Sequence, residues 1–184
     1  MKRMTKLNIG GKEYSLCYTL RTVKSISETY DSPEKMMQKL EKAGAIESME
    51  IQVFCLYHMI RAGAIINKLN GEESPVLSMA EVKTLLPLTH ISQIKPLIMQ
   101  TIAVCSAVSI EALPPKKKNR KVEEPTYEHY LWQGLHLGLD YNTTMDIPFG
   151  ELLTLISEEA IQMGAKEKPK QTKNSNDDVI PDWD

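Results

Sequence analysis

The stretch from Glu47 to Leu69 constrains the fold more than any other part of the chain. Apolar residues recur at Met49, Val53, Leu56, Ile60 and Ala64, which is one face of a helix, and Phe54, Ile65 and Ile66 widen that stripe. Glu50, Arg61 and Lys68 trace only a narrow wet strip. A helix so apolar belongs at the centre of a core, with other elements wrapped around it. Asn70-Gly71 supplies its stop, because both residues tolerate the left-handed conformation that ends helices.

Local signals place the neighbouring elements. Lys6 to Leu16 reads as a β-hairpin. Leu7 and Ile9 alternate with polar residues, Gly10-Gly11 supplies the positive φ angles of a tight turn, and Tyr14 and Leu16 resume the alternation. An isolated hairpin is marginal, so this one must dock on helices. Leu20, Val23, Ile26 and Ser27 share one face of a first helix. Ser32-Pro33 is a cap followed by the residue favoured at the first helical position, opening a helix to about Ala43. Ser78 caps a short helix ending near Pro87. A further helix is expected from about His90 to Leu113, with Ile91, Ile94, Ile98, Ile102 and Cys105 on one face and Pro96 kinking or marking its start.

The composition changes after Leu113. Pro114 to Pro125 is polar, rich in lysine and bounded by prolines, which makes residues 114–126 a linker. Residues 127–164 then read as a small helical pair. Tyr127 to about Leu137 carries Tyr130, Leu131, Trp132 and Leu135, and Phe149 to Met163 carries Leu152, Leu153, Ile156 and Ala160. The connection through Asp140 and Asp146 is short enough to make the two helices neighbours. Residues 165–184 read as a disordered polar tail. The expected fold is therefore mainly α: an N-terminal β-hairpin packed on helices over residues 1–113, then the linker and the pair.

Bulk properties exclude several function classes. Hydrophobic residues make up 42% and charged residues 25%, so the chain can bury a core. A formal charge of −2 gives no general attraction to nucleic acid or anionic lipid. Lys2, Arg3 and Lys6 have no apolar run behind them, so no secretory signal is expected. The segment from Pro96 to Leu113 is interrupted by five polar residues and reads as core rather than as a membrane span. Cys17, Cys55 and Cys105 are odd in number and far apart, a pattern that fits a reducing cytoplasm.

No catalytic constellation emerges. The three cysteines lack a flanking signature, no Gly-x-Ser-x-Gly occurs, and the only paired glycines are explained by the hairpin turn. His129 and His136 lie on roughly one helical face, but two ligands do not make a zinc site. His58 reads as a satisfied core histidine. The chain is expected to be no enzyme and to take no cofactor or metal. Lys116 to Lys121 resembles a patch for phosphate backbones, yet no aromatic residue is interleaved for stacking and Glu123-Glu124 follow at once. It reads as a solvated linker. The end of the chain, with Val179, Ile180 and Trp183 among aspartates, is either a peptide that folds onto a partner or a ragged end.

Two stretches, with a helical unit of about the expected size following the first, carry a resemblance to a known family. Asn8-Ile9-Gly10-Gly11-Lys12-Glu13-Tyr14 resembles the opening hairpin of the tail assembly chaperones of long-tailed phages that infect Gram-positive bacteria. Gly138-Leu139-Asp140-Tyr141, followed by Met145 to Ile156, resembles the short downstream module of that family, in which a turn precedes a helix of Gly-Glu-Leu type. The Asn142-Thr143-Thr144 loop departs from the family pattern, which more often has acidic and aromatic residues there. The resemblance implies a chaperone that holds the long tape measure protein during tail assembly, and a C-terminal module that recruits tail tube protein. It also implies action in the bacterial host cytoplasm, transient homo-oligomers and no membrane partner. In that family a frameshift often joins the two parts, and Lys116-Lys117-Lys118 lies where a slippery site would be placed. The partner-binding candidates are Trp132, Leu135, Phe149, Leu153, Ile180 and Trp183. The main rival is a small DNA-binding regulator using the C-terminal pair. It requires a basic recognition helix, whereas the second helix carries Glu151, Glu158 and Glu159 and no Lys or Arg before Lys166.

Overall fold

The structure is a computed structural model, and it describes residues 3–86, 91–113 and 125–168. The described chain is mainly α with one N-terminal hairpin. Strands β1 (Thr5–Ile9) and β2 (Lys12–Leu16) pair antiparallel, with Leu7 opposite Tyr14. Gly10 and Gly11 have φ of 58° and 72°, the two positive values that a tight hairpin turn demands. Helices α1 (Leu20–Tyr30), α2 (Pro33–Lys42), α3 (Ala45–Leu69), α4 (Met79–Leu85) and α5 (Ile91–Ser106) follow. After residues 114–124 come α6 (Tyr127–His136), α7 (Tyr141–Asp146) and α8 (Phe149–Gln162).

Helix α3 is the axis of the molecule. β2, α1, α2, α4, α5 and α7 all pack on it. Its residues Ile51, Val53, Leu56, Met59 and Ile60 are buried, while Glu50, Arg61 and Lys68 remain exposed. By length and hydropathy α3 could also cross a bilayer, but 56% of its most apolar window is buried among the other elements. The hairpin sits directly on α3 at Gly63, where an ideal Cβ would come within 2.6 Å of the Ser15 carbonyl carbon. Cys17 N–H donates to Met59 O at 3.1 Å and Asn67 Nδ2 to Ser15 Oγ at 2.9 Å, pinning the seam on both sides of that glycine.

The caps follow local chemistry. Ser32 accepts from Lys35 N–H ahead of Pro33 at the first helical position. Ser78 and Glu81 form a reciprocal capping box at α4. At the end of α3, Gly71 at φ 76° lets Glu72 N–H reach Asn67 O while Gly71 N–H reaches Lys68 O, so the orphan carbonyls are satisfied.

Two expectations are corrected. Helix α5 ends at Ser106 and not at Leu113. Beyond it, the Arg3 guanidinium takes Ala107 O and Ser109 Oγ, and Leu113 N–H donates to Lys166 O while Lys168 N–H donates to Glu111 O. Residues 107–113 thus run beside the chain that leaves α8, with Ala112 bridged to Glu167. The second correction is α7: the stretch expected to connect two helices forms a third. Asp140 accepts from Asn142 and Thr143 N–H and so caps it, after Gly138 at φ 85° has turned the chain out of α6.

Helices α6 to α8 close on the N-terminal elements. α6 and α7 pack on α1, and α8 packs on α5. Met145 and Leu152 are fully buried in the same cluster as Leu16, Leu20 and Leu56. Thr19 pairs with Pro148 through an isolated bridge, and Phe149 N–H donates to Tyr18 O at 3.0 Å. Arg21 grips Asp146 with two hydrogen bonds of 2.6 and 2.8 Å.

Candidate interaction surfaces

Most of the buried polar side chains are hydrogen-bonded within the fold. Thr19 caps α1, Thr101 donates to Leu97 O, and Thr144 donates to Asp140 O. Asn67 holds Ser15, Asp146 holds Arg21, and Gln52 Nε2 holds Ser48. Among the described residues, no three His, Cys, Asp or Glu side chains converge on a metal position. His58 packs between the rings of Phe54 and Tyr57, at 4.5 and 4.9 Å. Burial first, and then the nearby Arg61 charge, hold its pKa below the ordinary imidazole value.

The outer face of α6 offers a different kind of surface. Trp132 is 62% exposed and its indole stacks on the His136 ring, centroids 5.2 Å apart and planes 7° from parallel. Leu135 is 45% exposed beside it in the helix. The inner face is anchored by aromatic contacts. Tyr130 meets Phe149 edge to face at 5.0 Å, and Phe149 meets Tyr18 in the same way at 5.9 Å. The indole therefore faces outward from a helix whose opposite side carries these ring contacts.

The expected contact residues therefore separate. Trp132 and Leu135 are exposed. Phe149 is half-buried between two tyrosines, and Leu153 is half-buried on α8. Ile180 and Trp183 lie outside the described residues, as does the basic run Lys116 to Lys121.

A second surface has no local signal in the sequence. The last turns of α3 and the loop after it enclose an open groove of about 760 Å³. Ala64, Ile65, Pro75 and Val76 supply apolar lining, with Arg61 and Lys68 on the helix side and Glu72 and Glu73 on the loop side. Val76 is 56% exposed. The groove arises because Gly71 reverses the chain and lays residues 72–76 alongside the helix they have just left. No protein-family model, no curated protein and no solved structure matches this chain.

Proposed function

We propose that this protein is a tail assembly chaperone of a long-tailed phage, which binds the tape measure protein and recruits tail tube subunits in the bacterial host cytoplasm. The observation that carries the reading is the exposed Trp132 and Leu135 face, held on a helix whose other side is locked into the core. The resemblance supports it too: the hairpin stretch from Asn8 to Tyr14 and the stretch from Gly138 to Ile156 are the quoted family-like segments. In this reading the groove beside α3 takes amphipathic helices of the tape measure protein, whose apolar face meets Ile65 and Val76 while its charged flanks meet the mixed rim. The α6 face takes the tail tube subunit. No covalent chemistry is needed, and no cofactor. Transient self-association through the same apolar faces belongs to the proposal.

The test is co-expression of the full chain with the tape measure and tail tube proteins of the same phage. Tape measure protein is expected to stay soluble and co-purify, and Trp132→Ala with Leu135→Ala to lose the tail tube protein while keeping the tape measure protein. Ile65→Glu with Val76→Glu is expected to lose the tape measure protein and, with it, most of the tail tube protein. Recovery of neither partner by the unaltered chain overturns the proposal.

A further inference from the structure

Two of the three thiols meet at one buried node. Cys17 lies between β2 and α1, Cys105 lies in the last turn of α5, and their Sγ atoms are 3.6 Å apart although 88 residues separate them. Both are fully buried. The Arg3 carbonyl oxygen accepts from the Cys105 thiol at 3.0 Å and lies 3.6 Å from the Cys17 sulfur, whose one proton can turn either to that oxygen or to Cys105. The third thiol, Cys55, faces the Met36 sulfur instead.

We propose that Cys17 and Cys105 are a redox-active dithiol that closes to an intramolecular disulfide on meeting a low-molecular-weight disulfide. Bonded sulfurs sit about 2.05 Å apart, so each sulfur has to travel only about 0.8 Å. The two sulfurs already face one another, and the backbones on either side are fixed, Cys17 by its N–H bond to Met59 O. In the first step the Cys105 thiolate attacks one sulfur of the small disulfide, forming a mixed disulfide and expelling one thiolate. Cys17 then gives its proton to solvent and attacks the Cys105 sulfur, expelling the second thiolate. Two S–H bonds are replaced by one S–S bond, and the two electrons reduce the small disulfide to two thiols.

Either order of attack closes the same bond, and the surroundings favour the Cys105 thiolate. The hydrogen bond from Cys17 lowers the Cys105 pKa, against its own burial and with help from the Tyr18 backbone N–H and the Arg3 charge. The same pairing and burial raise that of Cys17. Access is governed by Arg3, whose guanidinium is anchored on Ala107 O and Ser109 Oγ while its carbonyl covers the pair. Gly150, at the start of α8, also packs on the Cys105 carbonyl, so the closed bond would tie the hairpin corner and α5 together beside the docking point of α8.

The experiment incubates the reduced full chain with glutathione disulfide under native conditions, then alkylates, digests and maps it. The expected product has lost the mass of two hydrogen atoms, carries a Cys17–Cys105 linked peptide, and keeps Cys55 free and alkylated. Its thermal midpoint rises by roughly 10 °C, as closing so long a loop requires, and dithiothreitol reverses both changes. Cys17→Ser and Cys105→Ser should not form the linked peptide, and Arg3→Ala, which frees the segment from Ala107 O and Ser109 Oγ but removes a charge that favours the Cys105 thiolate, should still form it. Free thiols at both positions in the unaltered chain and in Arg3→Ala would overturn the proposal, as would a linkage through Cys55.

Discussion

Replacing Gly63 with Ala places a methyl group in the seam between α3 and the hairpin. The new Cβ would lie 2.6 Å from the Ser15 carbonyl carbon and 3.1 Å from Leu16 N, and these are backbone atoms that cannot rotate aside. Carbon atoms in contact need about 3.5 Å, so the strand has to retreat by about 1 Å. That retreat pulls on the Cys17 to Met59 bond on one side and the Asn67 to Ser15 bond on the other. Overpacking costs about 1–3 kcal/mol, and each weakened hydrogen bond adds up to about 1 kcal/mol. Alanine returns about 1 kcal/mol of helix propensity. The expected net loss is about 2 kcal/mol and at most about 4 kcal/mol, a fall of about 1 M in the urea midpoint at a slope near 2 kcal/mol/M. Far-ultraviolet circular dichroism during urea titration measures it. An alanine variant with an equal or higher midpoint refutes the reasoning, since that is how a helical glycine with open space beside it behaves.

Further perturbations separate the other contributions. Arg21→Ala should destabilise by about 2–3 kcal/mol and Asp146→Ala by less, because a carboxylate only 10% exposed is stranded in the first case and a 37% exposed guanidinium can rehydrate in the second; urea titration of both variants gives the order. Ending the chain at Leu113 removes Met145 and Leu152 from the shared core, so such a truncation should lose its near-ultraviolet circular dichroism and aggregate. Stability should fall with pH through the unfolded imidazole value of about 6.5, because native His58 binds its proton less readily than the unfolded chain does, and level off below the native value. His58→Gln should abolish that component of the urea midpoint's pH dependence. Trp132→Ala should leave the thermal midpoint nearly unchanged, since the indole is 62% exposed and stacks on the exposed His136 ring.

What was legible in the sequence was local. Gly10-Gly11, Ser32-Pro33, Asn70-Gly71 and the serine of the Ser78–Glu81 box each determine backbone geometry within a few residues, and each lies where it was expected. The apolar run of α3 was readable because burial on nearly every side needs no particular period. The end of α5 was not readable, since Ala107 to Leu113 is apolar enough to continue a helix. What stops it is a set of distant bonds, from Arg3, Lys166 and Lys168. Helix α7 is six residues long, too short for periodicity to show, and its Asp140 cap looks like any turn residue. The Arg21–Asp146 pair spans 125 residues and the thiol pair 88, so neither leaves a trace in local spacing. Of the expected contact residues, Trp132 and Leu135 share an exposed face, whereas Phe149 has the same aromatic character but is turned inward by the Tyr18 backbone.

The exposure of Trp132 bears on how tightly a partner could be held. A tryptophan offers up to roughly 250 Å², so 62% exposure leaves about 150 Å² to be covered on binding. At about 25 cal/mol per Å², full coverage is worth up to about 4 kcal/mol, the size of a dominant interface residue. Leu135 adds less. Association costs at least about 4 kcal/mol in lost translational and rotational freedom, so this face alone yields only weak binding to a single subunit. Weak binding would suit the proposed chaperone role, in which the cargo has to be released. Useful occupancy then depends on holding the second partner close by, through the groove beside α3, which raises its effective concentration without any new contact. Loss of either surface should therefore cost far more in a ternary assembly than in binary binding.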